Sequence, residues 1–231
     1  MSRRSGERWG QFVERVGNAF GLVLLLLIGT YVLGSLTPSH GVGAVFTILV
    51  ASTAAVVALA SANARVSLVR LAGLLAAVSV TCTLLSAIFD WQVTPLAISG
   101  LITAVLLLVA AAVVLRTVVR APEVGFRTIL GAISVYIILG LLFSFLYEAL
   151  DRIQGSPFFG EGTTVHDGDT LLFSFYTLTT TGYGNLVPAG QPGKLFAGLE
   201  MLIGNIFLVT LVAGLVSLWR PGSGLRQRRA D

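Results

Sequence analysis

Long apolar runs separated by short polar segments dominate the hydrophobic pattern of this sequence. A helix needs about 20 apolar residues to cross the hydrocarbon core of a bilayer. Six runs approach or exceed that length: Ala19–Leu36, Val42–Ala60, Ser67–Phe89, Pro95–Leu115, Thr128–Tyr147 and Leu195–Trp219. A further apolar run, Leu171–Leu178, is too short to cross and is predicted to be a re-entrant helix. The pattern therefore predicts an all-α membrane protein with six transmembrane helices.

The basic residues support this arrangement. When the amino terminus is placed in the cytoplasm, 13 of the 15 basic residues fall in cytoplasmic segments, and only Arg152 and Lys194 fall outside. This asymmetry is what the positive-inside rule requires. We therefore expect a multi-pass protein of the inner or plasma membrane with both termini in the cytoplasm. The net charge of +4 comes from arginines that flank apolar runs, so it does not indicate nucleic-acid binding.

The composition gives little support for catalysis. Hydrophobic residues make up 55% of the chain and charged residues only 11%. The sequence contains no Cys/His metal motif, no phosphate-binding glycine loop and no nucleophile elbow. Cys82 lies within an apolar run, which is typical of a small buried hydrophobic residue. We expect neither an enzyme nor a bound cofactor.

The four leading runs do not resemble a voltage sensor. A sensor carries several arginines at three-residue spacing within one span. The fourth run has none before Arg116 and Arg120 at its inner end, which we interpret as topology anchors. His40 and His166 lie in predicted external loops, where solvated side chains are the favoured interpretation and an external pH sensor the alternative.

The segment FYTLTTTGYGNLVP, Phe175–Pro188, is the chemically distinctive part of the chain. Non-helical backbone at membrane depth is tolerated only where it is buried in protein or lines a wet cavity. Gly182 and Gly184 can adopt positive φ, whereas the residue before each of them keeps an ordinary value. This alternation points successive carbonyl oxygens the same way. Such oxygens, extended by the hydroxyl of Thr180, can replace the water shell of a monovalent cation.

The short helix before this segment adds an electrostatic contribution. Asp169 is predicted to be its N-cap, with the carboxylate accepting from exposed amides. The opposite end then points inward with about half a negative charge, which favours a cation in the membrane. Four aromatic side chains are expected to form a cuff around the oxygens: Phe173, Phe175, Tyr176 and Tyr183.

Thr180-Thr181-Gly182-Tyr183-Gly184 resembles the potassium-channel signature T-x-G-Y-G. The likeness covers about Thr128 to Trp219 and is nearest to small prokaryotic channels with one pore loop, here preceded by four additional helices. The resemblance implies a passive, K⁺-selective pore in which the backbone of Thr180 through Tyr183 binds the ion. One chain supplies one loop and four are needed to surround an ion, so a homotetramer is expected. Potassium is then the permeant ligand.

The resemblance also implies roles in the last span. Gly204 falls where many family members have a glycine hinge, although close helix packing is the alternative for a small residue. Leu208, Val212 and Val216 follow at four-residue steps, as cavity and gate residues would. Glu200 is either a functional acid at membrane depth or a carboxylate hydrogen-bonded behind the pore helix.

Three positions depart from the family pattern. Asn185 stands where the family usually has Asp, and Tyr176 where some members have Glu, so a carboxylate pair behind the filter is missing. We expect Asn185 to hydrogen-bond to Tyr176 or to a neighbouring ring hydroxyl. Thr181 replaces an aliphatic residue and adds a polar group behind the filter, which bears on selectivity between K⁺ and Na⁺.

The predicted organisation divides the chain into four parts. They are a cytoplasmic segment (1–18), a four-helix region (19–120), a pore domain (121–219) and a basic tail (220–231). The pore domain comprises an outer helix (128–147), a turret (149–168), a pore helix (169–179), a filter (180–185) and an inner helix (195–219). The tail is expected to meet anionic lipid headgroups. Two alternatives remain open: a weakly selective monovalent cation channel, and a non-conducting membrane subunit with a vestigial loop.

Overall fold

The computed structural model describes residues 3–89, 94–121, 125–160 and 163–218, with side chains described outside 3–19, 212 and 215–218. Seven helices occur within these ranges: α1 (Arg3–Leu36), α2 (Gly41–Ser61), α3 (Val66–Phe89), α4 (Thr94–Val119), α5 (Phe126–Ile153), α6 (Asp169–Leu178) and α7 (Gln191–Leu218). The described part of the chain contains no strand beyond one isolated bridge between Phe159 and Pro188. The predicted all-α class is confirmed.

Five of the described helices are long and apolar enough to cross a membrane, namely α2, α3, α4, α5 and α7. The apolar part of α1, Phe20–Leu36, is shorter than these spans. The protein is therefore a multi-pass membrane protein, and the sixth span remains a prediction. The short helix α6 lies where the re-entrant helix was predicted.

Helix α5 is longer than predicted. It continues to Ile153, so the predicted turret beginning at residue 149 is wrong over its first five residues. Glu148 and Arg152 explain the extension, because they form an i,i+4 ion pair of 2.7 Å along the last turns. The charged pair ends the apolar run in the sequence, but it stabilises the helix.

Helix α7 begins at Gln191, four residues before the predicted start. Pro192 lies in the first turn of α7, where proline is tolerated because the amide it lacks has no intrahelical partner. The predicted end at Trp219 lies outside the described residues, as does the basic tail.

Helices α1 to α5 form a bundle in which consecutive helices pack together and α5 also contacts α1. Buried hydroxyl groups join α3 to α4: Ser79 Oγ lies 2.9 Å from Thr103 Oγ1 and donates to the carbonyl of Ser99 at 3.0 Å. Such small polar residues let membrane helices approach closely. Helix α5 is the most buried of these spans: 61% of the residues in its most apolar stretch are buried within the chain. The corresponding share for α7 is only 17%.

The turn between α1 and α2 is attached to the end of α5 and to the loop that precedes α6. The amide of Ser39 donates to Asp167 Oδ1 at 2.9 Å, and Arg152 Nη2 donates to the Ser39 carbonyl at 2.8 Å. The amide hydrogen bond lowers the pKa of the Asp167 carboxyl below its ordinary value. The backbone amide of Ser39 therefore binds the loop before α6, and its backbone carbonyl binds the end of α5.

Candidate functional site

The amino-terminal end of α6 differs from its prediction. Gly168 is the N-cap, with φ of 86° and no side-chain cap, so the prediction of Asp169 as N-cap is wrong. Asp169 is the first helical residue, and its carboxylate accepts from the amide of His166 at 2.7 Å. The loop turns back before the helix, and this turn directs the carboxylate toward the loop. The Asp169 carboxylate still lies in the first turn, where its negative charge interacts favourably with the helix dipole.

The carboxyl end of α6 is enclosed by α5 and α7. The hydroxyl of Tyr136 donates to the Leu178 carbonyl at 3.3 Å. Gly204 packs against the same carbonyl so closely that a Cβ there would lie 2.9 Å from Leu178 Cδ1 and 3.1 Å from its carbonyl carbon. The observed geometry gives Gly204 a packing role, and its role as a hinge remains a prediction because α7 is continuous through it.

The backbone after α6 has the alternation expected from the sequence. Gly182 has φ of 53° and Gly184 of 80°, and neither Thr181 nor Tyr183 has positive φ. Thr180 also has positive φ, 57°, which sequence reasoning missed. Every second residue from 180 to 184 is therefore left-handed. This is the pattern that points successive carbonyls toward one side.

Thr180 is unusual because a β-branched residue rarely adopts positive φ. Such conformations cost about 1–3 kcal/mol and cluster at functional sites. Two hydrogen bonds hold the segment in place: the amide of Thr180 donates to Thr177 O at 3.0 Å and that of Thr181 to Tyr176 O at 2.8 Å. These bonds tie the start of the extended segment to the carboxyl end of α6. Within the single chain, residues 179 to 185 are exposed.

The aromatic cuff forms only in part. Tyr176 packs edge-on against Tyr183 at 5.7 Å and against Phe173 at 5.4 Å. The cluster continues away from the filter through three rings that the sequence analysis did not single out: Tyr147, Phe158 and Phe159.

Phe175 does not belong to the cuff. Its ring contacts Tyr31 of α1 at 4.9 Å. Gly140 provides the space for it, since a Cβ there would lie 2.7 Å from Phe175 Cζ. Phe175 is two residues from Phe173 and one from Tyr176 on a helix of 3.6 residues per turn, so its side chain leaves α6 on a different face from theirs.

The expected hydrogen bond between Tyr176 and Asn185 is absent from the described residues. The hydroxyl of Tyr176 donates instead to the Leu186 carbonyl at 2.7 Å, and Asn185 is exposed. The Thr181 hydroxyl lies 2.9 Å from that of Thr179. A tyrosine side chain is longer than a glutamate, so Tyr176 reaches past position 185 to the next carbonyl.

The loop before α6 supports the segment beyond the filter. The amide of Gly160 donates to Val187 O at 3.0 Å, and that of Ala189 to Phe158 O at 2.8 Å. Phe158 is itself fixed by a bond from its amide to Asp151 Oδ1 at 2.9 Å. Together with Tyr176, these contacts hold both ends of the extended segment.

Glu200 is completely buried behind α6, as one of its two predicted interpretations required. Its Oε2 accepts from the hydroxyl of Tyr147 at 2.6 Å, and its Oε1 lies 2.5 Å from Ser174 Oγ. Tyr147 and Ser174 were missed, because no spacing in the sequence relates residues on three different helices.

The remaining predicted cavity residues are only partly described. Leu208 is 46% exposed in the single chain. The side chains of Val212 and Val216 lie outside the described residues. The structure thus brings Tyr176 to the filter residue Tyr183 and joins Glu200 to Ser174 of α6, whereas Asn185 and Leu208 are exposed.

Residues 131–220 match the family described as Ion channel. This match covers α5 from Gly131 onward, α6, the extended segment and α7. Residues 131–220 are a channel domain of the potassium channel superfamily. Over 82 residues the chain is 38% identical to two pore potassium channel c of Oryza sativa subsp. japonica, an alignment that covers 36% of this chain and 17% of the rice protein. No solved structure matches.

The channel domain coincides with the buried cluster around α6. The helices α1 to α4 lie before the matched residues, yet α1 contacts α6 through Tyr31. The family that residues 131–220 match is one of ion channels, which is not a class of enzymes.

Proposed function

We propose that this protein is a K⁺-selective channel in which four copies surround one axis and the backbone of Thr180, Thr181, Gly182 and Tyr183 binds dehydrated K⁺. The observation that carries the proposal is the left-handed backbone at every second residue of this segment. Carbonyl oxygens that point one way can replace the hydration shell of K⁺. Transport is passive, and the ion is the permeant species.

The exposure pattern supports a ring of copies. The filter residues and the apolar face of α7 are exposed in the single chain. Exposed carbonyls at membrane depth need a wet cavity or a protein neighbour. A closed ring of four supplies both, since each loop contributes a quarter of the ion's coordination. Leu208, Val212 and Val216 then line the inner cavity, with Gly204 as the point where α7 meets the pore helix.

The orientation follows from the basic residues. Both termini lie in the cytoplasm and the Ser39–Asp167 contact lies outside. The basic tail meets anionic lipid headgroups, and the membrane is the inner or plasma membrane.

A weakly selective cation channel is the second candidate, and one observation favours it. The Thr181 and Thr179 hydroxyls lie together behind the filter, where most family members carry an aliphatic side chain at the position of Thr181. Hydroxyl groups there offer alternative hydrogen bonds to the filter backbone, which would loosen the fixed radius of the oxygens.

Purified protein in liposomes tests the proposal. A reversal potential that follows the K⁺ gradient supports K⁺ selectivity, and one unchanged when Na⁺ replaces K⁺ supports the weakly selective channel. No flux from correctly assembled protein supports a non-conducting subunit. The variant Gly182→Ala should abolish flux, because a Cβ at φ of 53° costs about 1–2 kcal/mol in each of four copies. Undiminished flux in this variant contradicts the carbonyl assignment. Gly198→Ala, on α7 with nothing within 4 Å of its Cβ, is the control.

A further inference from the structure

A row of four polar groups crosses the buried interface between α5, α6 and α7. It runs from the Gly140 carbonyl through Ser174 and Glu200 to Tyr147. Ser174 Oγ lies 2.6 Å from Gly140 O and 2.5 Å from Glu200 Oε1, and Glu200 Oε2 lies 2.6 Å from the Tyr147 hydroxyl. Ser174 and Glu200 have no exposed surface, and neither does Tyr147.

Protons can be counted along this row. Each oxygen–oxygen contact of this length requires one proton between its two atoms. A serine or tyrosine hydroxyl carries one proton, a carbonyl carries none, and an ionised carboxylate carries none. The three contacts therefore need three protons, whereas the two hydroxyls supply two. With an ionised Glu200, one contact of Ser174 would place two acceptors together without a proton.

In the described part of the chain, no cation is paired with Glu200. The ion pairs among the described residues join Glu148 to Arg152 and Asp169 to His166, so neither involves Glu200. The titratable groups that face it are the phenols of Tyr147 and, at greater distance, Tyr136, both on α5. From helix α6 the Ser174 hydroxyl contacts Glu200, and the Phe158 ring of the loop before α6 packs against the ring of Tyr147. An unpaired buried carboxylate is costly, so neutralisation by a proton is favoured.

We propose that Glu200 carries a proton at neutral pH and, as a neutral acid that donates to Ser174 and accepts from Tyr147, is a positioning residue for the pore helix. This extends the proposed function, on which its effect on flux rests. Ser174 lies six residues before Thr180, Gly140 and Tyr147 lie on α5 and Glu200 lies on α7, so the row fixes α6 relative to both long helices of the channel domain. Loss of the proton at high pH puts a charge behind the pore helix and breaks the row.

Infrared spectroscopy of the full-length protein in lipid tests the protonation without depending on conduction. The difference spectrum between wild type and Glu200→Gln at neutral pH should contain the carbonyl band of a protonated carboxylic acid. A carboxylate band in its place overturns the proposal, and so does a spectrum with no band assignable to Glu200. A wild type that shows the acid band but no flux would refute the proposed function and leave the proton assignment intact.

Liposome flux then tests the positioning role. Tyr147→Phe should lower K⁺ flux about tenfold, the size of one lost buried hydrogen bond, and Glu200→Ala, which removes two, should lower it further. Glu200→Gln restores most of the flux lost in Glu200→Ala, because an amide donates to Ser174 and accepts from Tyr147. Wild-type flux should fall as pH rises, whereas flux through Glu200→Gln should not. Tyr31→Phe, which also removes one phenol hydroxyl, is the control and should match wild type. Equal pH profiles for wild type and Glu200→Gln overturn the positioning role.

Discussion

The contact between Gly204 and the carboxyl end of α6 makes a quantitative prediction. Replacement of a helical glycine by alanine normally stabilises a helix by about 0.5–1 kcal/mol. At Gly204, however, the added Cβ would lie 2.9 Å from Leu178 Cδ1 and still closer to the Leu178 carbonyl oxygen. That carbonyl cannot move freely, because Tyr136 donates to it at 3.3 Å. Overpacking of this kind costs about 1–3 kcal/mol.

Gly198 provides the matched control, since it lies on the same helix and has no atom within 4 Å of an added Cβ. We expect Gly198→Ala to gain the helix-propensity term of about 0.5–1 kcal/mol. Gly204→Ala should be less stable than Gly198→Ala by about 1–3 kcal/mol per subunit, the overpacking cost alone. Equilibrium unfolding of the two variants in mixed micelles, followed by circular dichroism, measures this difference.

The same pair of variants separates packing from hinge motion. If Gly204 acts only as a hinge, alanine should stiffen α7 and change gating, while the variant remains as stable as Gly198→Ala. Gly204→Ala with stability equal to or greater than that of Gly198→Ala would refute the packing argument. A loss of stability with flux reduced in parallel would show that the end of α6 has been displaced.

Two further predictions concern the contact of Asp167 with the turn between α1 and α2, and the contact of Gly140 with Phe175. The pKa of Asp167 is lowered by the Ser39 amide, so its stabilising contact is fully present above the unfolded pKa of about 4 and is lost as pH falls through the lower folded value. Thermal unfolding should therefore show a steeper loss of stability toward acid pH in wild type than in Asp167→Asn, and equal slopes would contradict this. Gly140→Ala should destabilise the protein by about 1–3 kcal/mol because its Cβ would lie 2.7 Å from Phe175 Cζ. Phe175→Leu should relieve most of that cost in a double-mutant cycle, and additive effects would argue against the contact.

The helices of the fold could be predicted from the sequence because bilayer thickness fixes the length of an apolar run. The residues at which the helices begin and end were harder to predict. Glu148, Arg152 and Pro192 look like loop residues to a hydropathy scale, yet an i,i+4 ion pair and a proline in the first turn both belong to helices. The left-handed backbone of Gly182 and Gly184 was predictable, since glycine is the residue that adopts it without cost.

The side-chain contacts between different helices could not be predicted from the sequence. Tyr176 was expected to reach Asn185 but donates to Leu186, a difference decided by the length of its side chain. Thr180 adopts positive φ only because its amide and that of Thr181 are tied to α6, a tertiary constraint that overrides its preference. Tyr147 and Ser174 became significant only when the fold brought them to Glu200.

A density map of the purified protein in lipid, recorded in K⁺, tests the central claim most directly. We predict four copies around one axis, with peaks of ion density between successive rings of oxygens from Thr180 to Gly184. The same peaks should weaken or rearrange when K⁺ is replaced by Na⁺. A monomeric particle, or a ring of four in which these carbonyls face away from the axis, would contradict the proposal that this segment coordinates the permeating ion.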